Sequence, residues 1–138
     1  MLISAVLRNA GAMHDVTLST DGASHSLGVA AKGNGQGSSF NGGEFLLLAI
    51  ATCYCNDLYR EAARLGMSVT SVEVRASAEF DGRGLAARDI RYAARVESPA
   101  SEEQVQRLIR ETDAVAEVHN TLRSGAAVTR VPWSAPPE

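Results

Sequence analysis

The fold is decided by residues 41–58, which read NGGEFLLLAIATCYCNDL. Asn41 and Glu44 are spaced as a capping box, in which each side chain accepts a hydrogen bond from the backbone N–H of the other residue. This motif predicts a helix from about residue 42 to residue 65. Gly66 follows, and glycine is the residue best suited to the left-handed turn after a helix.

The two halves of this helix differ in their apolar pattern. Residues 45–55 are apolar on every side, which predicts that this half is buried all round. Residues 56–66 are amphipathic and are expected to return to solvent. The apolar run is far shorter than the ~20 residues that a membrane span needs, so no membrane association is expected.

Around this helix, alternating apolar and polar residues predict strands. Asp21-Gly22 is typical of a two-residue hairpin turn, and residues 32–43, with five glycines, predict a flexible connection. Ser101 and Gln104 form a second capping box. The predicted elements are strands at residues 2–8, 13–20, 24–30, 68–80, 87–97 and 126–133, a second helix after Ser101, a short helical turn around residues 120–122, and a tail marked by Pro136 and Pro137. This β-β-β-α-β-β-α-β order predicts one α+β domain, residues 1–138, with a mostly antiparallel sheet.

The composition and charge of the chain exclude some classes of function. The 138 residues are 45% hydrophobic and 21% charged, with a net charge of −3. This is ordinary globular composition. No basic stripe is present to neutralise phosphates, so nucleic-acid binding is not expected. The first residues lack the pattern of a secretory leader, and a soluble, cytoplasmic protein is the expectation.

Cys53 and Cys55 are the two cysteines. A helix advances ~100° per residue, so the two thiols point ~200° apart and an internal disulfide would distort the helix. One interpretation is that both are buried as small hydrophobes. The other is a nucleophilic thiol, which needs a lowered pKa. Asp57 would oppose that, and Arg60 would assist Cys53 only if it bent back by one turn.

Other polar residues have structural explanations. The three histidines, His14, His25 and His119, lie far apart in sequence, so no zinc site or other metal site is expected. His119 lies near the end of the second predicted helix, where a cation is favourable. Asn41 and Glu44 are explained as the helix start.

The sequence resembles the osmotically inducible protein C (OsmC) family, whose relatives include the organic hydroperoxide resistance proteins. The resemblance rests on residues 41–58, where a glycine-rich loop enters a buried helix that carries a reactive cysteine, and on the strand SVTSVEVRA, residues 68–76. It covers nearly the whole chain. It implies an intertwined homodimer, in which antiparallel sheets wrap around buried central helices and the active sites lie at the subunit interface.

The chemistry implied by the resemblance is thiol-dependent reduction of organic hydroperoxides, without a cofactor. A thiolate attacks the O–O bond and becomes a sulfenic acid, and a second cysteine then forms a disulfide that an external thiol reduces. Cys53 takes the place of the attacking cysteine. Ala116 takes the place of the resolving cysteine, Gly43 that of a glutamate for which Glu44 is the neighbouring substitute, and Met13 that of an arginine.

Three functions follow as alternatives. The first is an atypical thiol peroxidase for oxidative stress defence, with Cys53 as nucleophile, Glu44 as a supporting acid, and resolution by an external thiol or by Cys55 of the partner subunit. Without the arginine, the pKa of Cys53 is expected near the ordinary ~8.5. The second is a binding protein for a hydrophobic small molecule at the dimer interface. The third is a structural role without a ligand. The first is favoured, because the helix delivers Cys53 to the position of the family's chemistry.

Overall fold

Three helices and five strands make up the described part of the chain, residues 1–133, in a computed structural model. Two compact units are present: residues 1–44 together with the chain from residue 128, and residues 45–127. Both sheets are antiparallel, which confirms the predicted α+β class. The single domain spanning residues 1–138 stays a prediction. Pro136 and Pro137 lie outside the described residues.

The first unit holds a three-stranded sheet in the order β1-β2-β3. Its strands are β1 (Ile3–Ala10), β2 (Met13–Thr20) and β3 (Ala23–Ser26). The Asp21-Gly22 turn is confirmed, since both residues have positive φ, 48° and 82°, and Thr20 pairs with Ala23. The predicted third strand, residues 24–30, is too long. Gly28 interrupts it, and Ala31 pairs with Ser38 instead of continuing along β2.

The glycine-rich connection is tied down rather than flexible. The Gly37 N–H donates to the Asn9 side-chain oxygen at 3.0 Å, and the Lys32 N–H donates to the Gly37 carbonyl at 2.9 Å. Gly35 has a φ of 71°, and a Cβ there would lie 2.9 Å from the Gly11 carbonyl carbon. Only glycine fits this approach between two backbones.

The central helix, α1 (Gly42–Arg64), begins and ends as predicted. The Glu44 N–H donates to Asn41 Oδ1 at 2.9 Å, and the Asn41 N–H donates to Glu44 Oε2 at 2.7 Å. At the other end Gly66 has a φ of 66°, and the Met67 N–H donates to the Ala62 carbonyl. Both ends of the helix are therefore capped by hydrogen bonds to some of their free backbone groups.

The second unit packs α1 against a hairpin and two further helices. The hairpin pairs β4 (Ser71–Glu79) with β5 (Arg88–Glu97), and the helices are α2 (Glu102–Val115) and α3 (Glu117–Ser124). The capping box of Ser101 and Gln104 is confirmed. The core consists of apolar side chains from α1, α2 and the α2–α3 junction: Tyr54, Leu58, Ala62, Leu108 and Ala116. Apolar residues of β4 and β5 pack against it.

Two predictions at the C-terminal end are wrong. The short helical turn is a full helix, α3, closed by Gly125 with a φ of 65°. The predicted strand at residues 126–133 does not form. Pro132 has no N–H to give to a strand ladder, which opposes a strand there.

The predicted burial of the first half of α1 on every side is only partly realised within the chain. Four of its six buried residues, Asp57, Leu58, Glu61 and Ala62, lie in the second half, and two, Ile50 and Tyr54, lie in the first. In the first half Leu48 is 56% exposed. The core of the second unit is built around Tyr54 and the later turns of α1, so one side of the apolar first half, at residues 48, 49 and 52, stays exposed. Among the described residues, no helix combines the length and apolar character needed to cross a membrane.

Candidate active site

Cys53 lies in the middle of α1, half-buried, with two carboxylates beside its sulfur. Its Sγ is 3.5 Å from Asp57 Oδ2, one turn later on the same helix. It is 3.9 Å from Glu117 Oε2, at the start of α3. The backbone N–H of Val118, in the first turn of α3, donates to the sulfur. The thiol therefore sits where α1 meets the N-terminus of α3.

Arg60 balances the charge of this group. Its guanidinium lies 2.7 Å from Asp57 Oδ1 and 3.6 Å from Glu117 Oε1, and it also contacts Glu61. The Asp57 side chain is only 5% exposed, whereas that of Arg60 is 49% exposed. Arg60 thus bends toward the site, but its ion pairs are with the carboxylates of Asp57, Glu61 and Glu117.

The surroundings of Cys53 disfavour its thiolate. Burial is the largest cause that raises the pKa of Cys53, and the charges of Asp57 and Glu117 raise it further. The Val118 N–H acts in the opposite direction but does not outweigh them. The expectation of an ordinary thiol pKa is therefore wrong, because a carboxylate pair stands beside the sulfur. Burial also raises the pKa of Asp57, against the lowering effects of the Cys53 hydrogen bond and Arg60.

The other two candidate catalytic residues are not brought to Cys53 within the chain. Cys55 is a free thiol like Cys53, and it points ~200° away around α1. Glu44 precedes Cys53 by nine residues on α1, which places it about 13 Å away along the axis and on the opposite side. Its carboxylate accepts the Asn41 N–H and serves as a helix cap.

The structure locates the three residues that stand where the resemblance implies catalytic residues of the family. Ala116 is fully buried at the junction of α2 and α3, directly before Glu117. Gly43 lies in the first turn of α1, and Met13 begins β2 and is 45% exposed. Glu117 is the site residue that sequence reasoning missed. Its only signal was its place beside Ala116, in the segment that resembles the family's resolving motif.

The cluster also has the donor set of a cation site. One ligand atom each from Cys53, Asp57 and Glu117 lie within 4.8 Å of one another. Sequence spacing gave no sign of this group, because Glu117 is remote from the other two along the chain. The Arg60 guanidinium already supplies positive charge to both carboxylates.

His119 is not the helix-end cation that was predicted. It is 5% exposed, on α3, with its ring centroid 4.4 Å from that of Tyr92 and 5.4 Å from that of Tyr54. Burial lowers its pKa, with a smaller contribution from Arg123 in the same direction. The imidazole is therefore neutral near pH 7. It borders a cavity of about 200 Å³ whose lining is Ile50, Ile90, Tyr92, His119, Leu122 and Arg123.

Comparison with known proteins gives a consistent family and fold. The family model described as OsmC-like protein matches residues 35–130. No curated protein matches the sequence significantly. An OsmC-like protein from Mycoplasma pneumoniae has a similar structure, with a TM-score of 0.59, 23% sequence identity, and coverage of 88% of this chain and 85% of that one.

Two hydroperoxide resistance proteins are also similar in structure. The organic hydroperoxide resistance protein OsmC from Legionella pneumophila has a TM-score of 0.56 at 16% identity, covering 87% of this chain and 89% of that one. An OsmC-like hydroperoxide resistance protein from Jannaschia sp. has a TM-score of 0.53 at 17% identity, covering 93% and 88%. At these identities the likeness establishes a shared fold.

Proposed function

Because the chain belongs to the family of OsmC-like proteins, we propose that it is a thiol-dependent reductase of organic hydroperoxides with Cys53 as its nucleophile. The observation that carries the proposal is the setting of Cys53. Its half-buried thiol is held by hydrogen bonds to Asp57 and from the Val118 N–H. The hydroperoxide resistance proteins that share the fold support the same chemistry.

The reductive half of the cycle depends on an external thiol. Attack on the peroxide leaves a sulfenic acid on Cys53. Ala116 has no sulfur with which to form a disulfide, and Cys55 points away on the same helix. The sulfenic acid therefore persists until an outside thiol reacts with it, or is oxidised further by excess peroxide. A reducing cytoplasm supplies such thiols and is the proposed setting.

Replacement of Cys53 by serine is expected to reduce peroxide consumption at least tenfold. The assay supplies dithiothreitol as the external thiol and compares hydrogen peroxide with cumene hydroperoxide, a bulky organic substrate. We expect the wild type to prefer the organic hydroperoxide, since apolar residues surround α1. Cys55→Ser is the matched control and should retain activity. Equal turnover by the wild type and Cys53→Ser would contradict the proposal.

A second candidate function is the binding of a hydrophobic small molecule. It is favoured by the cavity of about 200 Å³, which Ile50, Ile90 and Leu122 line together with aromatic rings and Arg123. Such a mostly apolar cleft with a few polar groups is typical of small-molecule sites. If the wild type consumes no peroxide in the assay above, this function takes precedence.

The protein is also proposed to be an intertwined homodimer. The first half of α1 is apolar, yet Leu48 is 56% exposed in the single chain. A large apolar side chain left exposed on an apolar stretch of helix is the kind of residue that a protein interface buries. A second copy of the same helix would cover it, as the resemblance to the family implies.

Sedimentation is expected to give a species of twice the 14.6 kDa chain mass at micromolar concentration. Leu48→Glu should weaken the dimer at least tenfold, because it places a charge in the proposed interface. Leu85→Glu, at a site 60% exposed in the turn between β4 and β5, is the control and should remain dimeric. A stable, folded monomer of the wild type would rule out the dimer.

A further inference from the structure

We propose that Asp57 is a further catalytic residue, which accepts the proton of Cys53 as the thiol attacks and passes it to the departing alkoxide. The inference rests on the proposed peroxide chemistry of Cys53. It assigns to Asp57 the role of the general base and then of the general acid.

The geometry divides the two oxygens of Asp57 between two partners. Oδ2 lies 3.5 Å from Cys53 Sγ, and Oδ1 lies 2.7 Å from the Arg60 guanidinium. Arg60 therefore fixes the carboxylate and favours its ionised form against the opposing effect of burial, while the other oxygen faces the thiol. Glu117 is less suited to this role, because it is 3.9 Å from the sulfur and its side chain is 69% exposed.

A proton acceptor is needed because the site disfavours a free thiolate. Cys53 is half-buried beside two carboxylates, and the Arg60 guanidinium pairs with those carboxylates rather than with the sulfur. A thiol that cannot ionise beforehand can still react if its proton leaves during the attack. Asp57 is within reach at the start of that step and, being largely buried, does not lose the proton to bulk water.

The step is balanced with the peroxide as oxidant. The Cys53 sulfur attacks the terminal oxygen of R–O–O–H, the S–O bond forms, and the O–O bond breaks. The electron pair of that bond leaves with the alkoxide, and the thiol proton passes through Asp57 to give R–OH. The sulfur is oxidised by two electrons to the sulfenic acid and the peroxide is reduced.

Asp57→Asn distinguishes a proton acceptor from a purely electrostatic neighbour. The first role predicts a slower peroxide reaction in the variant, and the second predicts a faster one. Asparagine keeps the shape and removes both the base and the negative charge, so the pKa of Cys53 should fall. Alkylation by iodoacetamide, which needs only thiolate and no proton transfer, should then speed up at pH 7. Oxidation by cumene hydroperoxide should slow at least tenfold, because the proton relay is lost.

Both reactions are measured by mass spectrometry on the Cys55→Ser background. Glu111→Gln is the control, since this carboxylate pairs with Arg64 and Arg107 on the surface. It should leave both rates unchanged. Glu117→Gln should speed alkylation without slowing the peroxide reaction.

Two outcomes would overturn the assignment in different ways. If Asp57→Asn accelerates both reactions, Asp57 only repels the thiolate and the base role fails, while the peroxide function stands. If wild-type Cys53 does not react with the peroxide at any pH, the proposed function itself fails.

A pH profile of the wild-type protein is a second test that needs no variant. Proton transfer through Asp57 predicts that the rate of the peroxide reaction stays nearly level from pH 6 to pH 8. A tenfold rise in that rate per pH unit would refute the role of Asp57.

Discussion

Alkylation of Cys53 is expected to accelerate more steeply between pH 7 and pH 9 than alkylation of a free cysteine, because only the thiolate reacts and a raised pKa lets its fraction keep growing over more of this interval. Burial and the neighbouring Asp57 and Glu117 raise the pKa of Cys53. A free cysteine, half ionised near pH 8.5, gains only about 25-fold over the same interval. The steeper rise therefore measures the combined effect of burial and of the two carboxylates on the pKa of Cys53.

The measurement uses iodoacetamide with the Cys55→Ser variant, so that Cys53 is the single thiol. N-acetylcysteine in the same buffers gives the reference profile. Glu117→Gln removes one of the two negative charges and should shift the Cys53 profile to lower pH. A Cys53 rate that is already level at pH 7 would mean a stable thiolate and would contradict the electrostatic description of the site.

Features with local causes could be predicted from the sequence. The two capping boxes, at Asn41 and Ser101, depend on side chains that reach only three residues along the chain. The Asp21-Gly22 turn depends on two residues that tolerate positive φ. The β4–β5 hairpin follows from alternation of period two. Each of these formed within a few residues of its predicted place.

Features that depend on distant packing could not be predicted in the same way. The apolar pattern of residues 45–55 indicates that this surface avoids water, but not which element covers it. Within the chain the most buried turns are the later ones, around Leu58, because the hairpin and α2 pack there. The hydrophobic pattern therefore identifies apolar surface, and the tertiary packing decides how much of it one chain buries.

In the candidate site, too, the contact between residues close in sequence could be predicted and the contact between distant residues could not. The distance between Cys53 and Asp57 follows from one helical turn and was visible in the sequence, where Asp57 was correctly expected to oppose ionisation of the thiol. Glu117 is brought to Cys53 by the junction of α2 and α3, 64 residues away along the chain. His119 was assigned to the end of a helix that in fact stops at Val115. A separate helix, α3, turns its imidazole into the core.

Leu108→Ala is expected to lower the free energy of unfolding by about 2–5 kcal/mol, the range for a buried leucine whose cavity does not collapse fully. Leu108 lies on α2 and is completely buried in the same cluster as Tyr54 and Ala116. This packing also fixes the junction of α2 and α3, from which Glu117 reaches Cys53. The loss should therefore loosen the site as well as the core.

Urea unfolding measures the loss, at a fixed protein concentration because the stability of the proposed dimer would depend on concentration. The midpoint should fall while the slope stays constant, as for a change in stability alone. Leu85→Ala is the matched control: the same atoms are removed at a position 60% exposed, and the change should stay within about 0.5 kcal/mol. Equal losses for the two variants would show that Leu108 is not part of the packed core.

The core around Leu108 also positions the α2–α3 junction. The Leu108→Ala variant should therefore show faster alkylation of Cys53 at pH 7, because water that enters the loosened site would ease ionisation of the thiol.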